Sequence, residues 1–92
     1  MQQTDIELTS VDPKRRRARR YRLTTFRSLF GSPALLISWG RIGQSPRVRL
    51  ETFASEDELE ARRAELLARR HAHGYVADGA GLVGRRGYEL LS

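Results

Sequence analysis

The chain has 92 residues, 39% of them hydrophobic, with three Phe, three Tyr and one Trp, which fits one small folded domain and excludes a disordered tail. It has no cysteine, which excludes disulfides, thiolate chemistry and cysteine-ligated zinc and fits a reducing, cytoplasmic setting. Net charge is +6, and the longest strictly apolar run, Ala34 to Ile37, is far too short to span a bilayer.

The charge is unevenly spread. Residues 1–13 carry −3, residues 14–50 carry +11 with no acid at all, and residues 51–92 carry −2. Such a stretch is a positive field that calls for a polyanion or for water. The N-terminus lacks a basic start followed by an apolar core, so no signal peptide is expected.

In chain order, Ile6 and Leu8 alternate with Asp5, Glu7 and Thr9, the pattern of a short strand. Ser10 to Pro13 is expected to turn. Lys14 to Arg22 holds seven cations in nine residues. Tyr21, Leu23 and Thr25 alternate with Arg22, Thr24 and Phe26 as a second strand. Ala34 to Ile42, nearly all apolar, predicts a third and central strand. Gly43 to Pro46 predicts a turn. Val48, Leu50 and Thr52 then alternate with Arg47, Arg49 and Glu51. With the apolar set toward the core, those three charged residues share the opposite face.

Ser55-Glu56-Asp57-Glu58 is a capping box that opens a helix of about residues 56–73. Acids fill its first turn, Arg69, Arg70 and His71 its last, and Gly74 supplies a stop. Leu59, Leu66 and Leu67 fall on one side, interrupted by Arg63 and Arg70, while Ala61, Ala64, Ala68 and Ala72 form an opposite stripe. The leucines are expected to face the sheet because they bury more apolar area. The fold class is therefore α+β, a mostly antiparallel sheet of about four to five strands on one long helix. The glycine-rich tail, 76–92, is set apart from the domain over 1–75, and Tyr88, Leu90 and Leu91 could dock as a last short strand.

Trp39-Gly40-Arg41 carries the densest chemistry. A flat aromatic, a bare backbone and a planar cation at a strand end suit stacking on a sugar or base and gripping a phosphate. The alternative is a partly buried core tryptophan, the common fate of a lone one. The basic run could lie along a phosphate backbone, or serve as a solvated strand edge that resists edge-to-edge pairing. His71 and His73 point in different directions on a helix and do not suit a shared metal. Gly79-Ala80-Gly81-Leu82-Val83-Gly84 reads GxGxxG but lacks the following helix and acid of a dinucleotide site. No serine sits in a Gly-x-Ser-x-Gly setting, and the helix-start acids are not a catalytic pair. No catalytic residue, cofactor or metal is expected.

Together, Leu29-Phe30-Gly31, Trp39-Gly40-Arg41-Ile42-Gly43, the strand Arg47 to Phe53, the capped helix and His73-Gly74-Tyr75 resemble a WGR domain from about Ile6 to Tyr75. The resemblance implies a mostly antiparallel sheet with one helix packed on it. In the DNA-dependent poly(ADP-ribose) polymerases such a module helps recognise DNA strand breaks. Its tryptophan packs on the sugar of a terminal nucleotide and its arginine links it to neighbouring domains. Carried over, Trp39 is the stacking platform, and Arg41 grips a phosphate or a separate protein. The transferase activity of those polymerases is not carried over.

The resulting expectation is a non-enzymatic nucleic-acid-binding module with little sequence specificity, DNA ends or nicks ahead of RNA. It would use Trp39, Gly40, Arg41, Arg15, Arg20, Arg22, Arg47 and Arg49. The alternative is a protein-interaction module that docks an acidic partner through Arg41 or pairs through the Ala61/Ala64/Ala68/Ala72 face. No membrane or small-molecule substrate is expected.

Overall fold

The computed structural model describes residues 3–77. Strand β1 spans Thr4–Asp12, β2 Arg17–Arg27, β3 Pro33–Arg41 and β4 Arg47–Thr52; helix α1 spans Glu56–Ala72 and the two-residue β5 is Val76–Ala77. All the strands pair antiparallel, in the order β4-β3-β2-β1-β5. This is the expected α+β class. The expected last strand at Tyr88, Leu90 and Leu91 lies outside the described residues, as does the Gly79–Gly84 motif.

The first hairpin differs from expectation. Ser10 to Pro13 does not turn; β1 continues to Asp12, and its ladder to β2 closes at Asp12↔Arg17. A single 3-10 turn, Pro13–Arg15, makes the connection. Asp12 caps it by accepting from the Lys14 N–H at 3.1 Å, and Pro13 presets the first turn dihedral. Arg16 completes the reversal in the left-handed region, φ 53°. The basic run therefore begins as a turn and continues from Arg17 as a strand. The apolar β3 is second from the edge, and β2 is central.

One sheet face meets α1. Leu8, Tyr21, Leu23, Leu35, Ile37, Leu66 and Tyr75 form the core, with Ile6, Trp39, Phe53 and Leu67 packed around them. The register explains this set. Leu8 faces Tyr21, Tyr21 faces Trp39 and Trp39 faces Arg47, so the odd positions of β2, β3 and β4 lie on the helix side.

That register reverses the expectation for β4. Arg47, Arg49 and Glu51 lie on the helix side, and Val48 and Leu50 point outward, 62% and 57% exposed. Alternation had fixed the two sets but not which one faces in. The Arg62–Glu51 pair, with N–O distances of 2.9 and 3.1 Å, rewards the observed choice by bridging helix and edge strand.

Helix α1 starts as predicted, with the Ser55 hydroxyl accepting from the Glu58 N–H at 3.2 Å. Leu59 and Leu66 are buried, and Ala61, Ala64, Ala68 and Ala72 are exposed, so the leucines do face the sheet. Arg70 fits among them because its guanidinium lies over the Tyr21 ring, 4.7 Å from the centroid, and near the Tyr75 ring at 5.7 Å. Such contacts hold a charge against aromatic faces without an acid partner. Gly74, φ 86°, then ends the helix. No helix among the described residues is long and apolar enough to cross a membrane.

Candidate nucleic-acid interface

The strand ladders sort the basic residues onto two faces. On the outer face, Arg20 sits 3.1 Å from Glu7, and Arg22 is held by Asp5 through both carboxylate oxygens. The Arg22 hydrogen bonds keep the Asp5 carboxyl below its ordinary range, against the opposing effect of burial. Both arginines lie in the β2 half of the β1–β2 hairpin, and the alternating acids of β1 lie opposite. Arg15, at the hairpin turn, is 3.7 Å from Asp12.

On the helix side the balance differs. Arg19 lies directly opposite Arg41, and Trp39 directly opposite Arg47. Among the described residues, no carboxylate lies within 4.0 Å of Arg19, Arg41 or Arg47. All three are exposed. Arg49 is partly spent, 3.3 Å from Glu51. Glu51 in turn accepts from Arg62, which holds its carboxyl below the ordinary value and raises Arg62 further. Arg17 donates to the His73 carbonyl at 3.4 Å and lies 5.8 Å from the Tyr75 centroid.

Trp39 is half-buried and contributes to clefts at the end of β3. One, of about 170 Å³, opens toward α1 between Tyr21, Trp39, Arg49, Arg62, Arg69 and Arg70. Another, of about 310 Å³, is bordered by Arg19, Trp39, Gly40, Arg41 and Arg47 and the β3–β4 turn. Trp39 therefore packs against the core and also borders open space.

Gly40 has a local reason. Its φ is 155°, and a Cβ there would lie 3.5 Å from the Pro46 Cα and 3.8 Å from the Ser45 carbonyl. Those are ordinary contact distances, so it is the backbone conformation that favours glycine beside the β3–β4 turn, which closes through the Gln44 N–H to the Arg41 carbonyl at 3.2 Å.

The eight expected site residues divide by register position, while one cleft of about 100 Å³ at the end of β3 is lined by Arg20, Arg22, Trp39, Gly40 and Arg41, and another by Arg15, Arg19 and Arg41. Trp39, Arg41, Arg47 and Arg49 share the helix side, Arg20 and Arg22 lie on the other, Arg15 sits at a hairpin turn, and Gly40 is backbone. Arg19 belongs with the first group and was not singled out. Its signal was present: it has the parity of Tyr21, opposite to Arg20 and Arg22.

A five-stranded antiparallel sheet with one covering helix, and a tryptophan flanked by exposed arginines, defines a small α+β domain. The chain belongs to the WGR family, whose family model matches residues 4–81. It is 34% identical over 65 residues to an uncharacterized protein, y4dW, of Sinorhizobium fredii (strain NBRC 101917 / NGR234), an alignment covering 71% of this chain and 32% of that protein. The chain thus spans about a third of the relative it matches. No solved structure matches. WGR domains are binding modules to which nucleic-acid binding is ascribed, and they are not catalytic by themselves.

Proposed function

We propose that the helix-side surface at the β3–β4 end binds nucleic acid without chemistry, DNA ahead of RNA, and favours strand ends or nicks over particular sequences. Arg19, Arg41 and Arg47 contact phosphates, and Trp39 packs on a sugar or base exposed where the duplex is interrupted. The observation that carries this reading is the placement of three acid-free guanidinium groups at register positions bordering Trp39. Phosphate contact positions a protein without reading bases, hence the low sequence specificity. A stacked ring accepts any base or sugar face. Arg49 assists from beside Glu51. Arg15, Arg20 and Arg22 have carboxylate partners and contribute less. A soluble cytoplasmic protein without a small-molecule substrate is the setting that fits the absence of cysteine.

The test compares Trp39→Ala with the parent chain on a nicked linear duplex and on a covalently closed circle. A loss confined to the nicked duplex is expected. Equal loss on both would remove the stacking role and leave a basic patch. No binding by the parent up to a few hundred micromolar, which covers ordinary non-specific DNA affinity of about 10⁻⁴–10⁻⁶ M, would overturn the reading.

A further inference from the structure

Among the described residues, strand β4 is an edge of the sheet and no strand pairs with its outer side. The Phe53 N–H donates to the Pro33 carbonyl at 2.9 Å, which makes that facing pair a hydrogen-bonded one. Pairs alternate along an antiparallel ladder, so Arg47, Arg49 and Glu51 spend their backbone groups on β3. Val48, Leu50 and Thr52 therefore point their N–H and C=O groups away from the sheet. Their side chains lie on the outer face, where Val48 and Leu50 are 62% and 57% exposed. A single edge thus offers backbone hydrogen bonds, two apolar side chains on one face and two arginines on the other.

We propose that this edge accepts an extended protein segment in which acidic and apolar residues alternate. The added strand pairs antiparallel with β4. Its apolar residues face Val48 and Leu50, and its carboxylates lie opposite Arg47 and Arg49. Backbone bonds supply affinity in such strand addition, and the alternate side chains supply selectivity. Charge argues against a second copy as the occupant. Joining two β4 edges gathers Arg47 and Arg49 from each copy on one side, while Glu51 of the same strand is already paired with Arg62 and Arg49. Arginines on an edge also discourage self-pairing. The proposal is independent of nucleic-acid binding except at Arg47 and Arg49, neither of which can serve a phosphate and a carboxylate strand at once.

The probe is a synthetic peptide of about ten residues alternating Glu and Val, long enough to cover β4. Binding is read by anisotropy of the labelled peptide and by amide hydrogen exchange of the 92-residue chain. The expected result is slowing of exchange by about tenfold or more at Val48, Leu50 and Thr52, with little change at Arg49 and Glu51, whose amides already face β3. Leu50→Pro removes an outward donor and is tolerated on an edge; it should abolish the protection. Arg47→Glu should weaken the Glu–Val peptide and favour a Lys–Val one. Binding without protection at those amides, or equal binding by the Lys–Val peptide to the parent, overturns the proposal. So does the same protection, without peptide, that grows with protein concentration, since the occupant is then another copy.

Discussion

Trp39 and Arg47 face each other directly across the β3–β4 ladder, so the ring and the guanidinium share the helix side of the sheet about one strand spacing, roughly 4.8 Å, apart at the backbone. Arg41 lies two residues along β3 on the same face, opposite Arg19. Among the described residues, the aromatic therefore sits within a group of cations without a carboxylate partner, and the arginines differ in what each can offer a polyanion.

Salt dependence should expose that difference. Arg47→Ala and Arg41→Ala should each weaken duplex binding and reduce the log–log salt slope by about 0.9, one phosphate contact apiece. Arg22→Ala should change the slope little, because Asp5 already holds that guanidinium. Titrations across a salt series check this, and an equal effect of all three would mean that the field acts without regard to face.

Acid stability should depend on Glu51. Its folded pKa lies below the ordinary 4.5, chiefly because Arg62 donates to it. A depressed carboxylate contributes stability above its unfolded pKa, and loses it as pH falls through the folded value. Glu51→Gln should therefore cost about 1 kcal/mol near neutral pH, and this deficit should shrink as the pH drops below about 4. Urea midpoints at several pH values measure it; a deficit unchanged by acid would assign the loss to packing.

Leu59 has 0% exposure under the helix. Leu59→Ala should destabilise the domain by about 2–5 kcal/mol, the range for an emptied core site. Ser55→Ala, which removes only the cap, should cost about 1 kcal/mol. Thermal melts of the two variants should keep that order.

Gly40→Ala should lower the melting temperature even without any ligand. The cause is the backbone, since φ 155° is a conformation that side chains disfavour, while the added Cβ would sit at ordinary contact distance from the Pro46 backbone. An unchanged melt with lost nucleic-acid binding would instead make Gly40 a contact surface.

Much of this fold was legible from local rules. The capping box placed the start of α1, and leucine area chose its buried face over the alanine stripe. What local rules could not decide was β4. Val48, Leu50 and Thr52 look like an inward set by hydrophobicity, yet the partner of Glu51 is Arg62, eleven positions away on another element. The surroundings of the basic residues escaped the same rules for a similar reason. Arg20 and Arg22 resembled Arg47 as members of one acid-free run, but the first hairpin brings Asp5 and Glu7 beside them. Charge along a chain does not foretell charge across a ladder. Trp39 was found by its neighbours, whereas the conformational demand on Gly40 needed the folded turn.

The strand order has a consequence for how the module can be carried. Thr4, which begins β1, and Ala77, which ends β5, both lie at the sheet edge opposite β4. Three interstrand steps, roughly 14 Å, separate β1 from β4. Both ends of the described fold therefore lie on the margin of the sheet away from Arg41 and Arg47. A fusion at Thr4 or at Ala77 would thus attach at a distance from the surface proposed to bind.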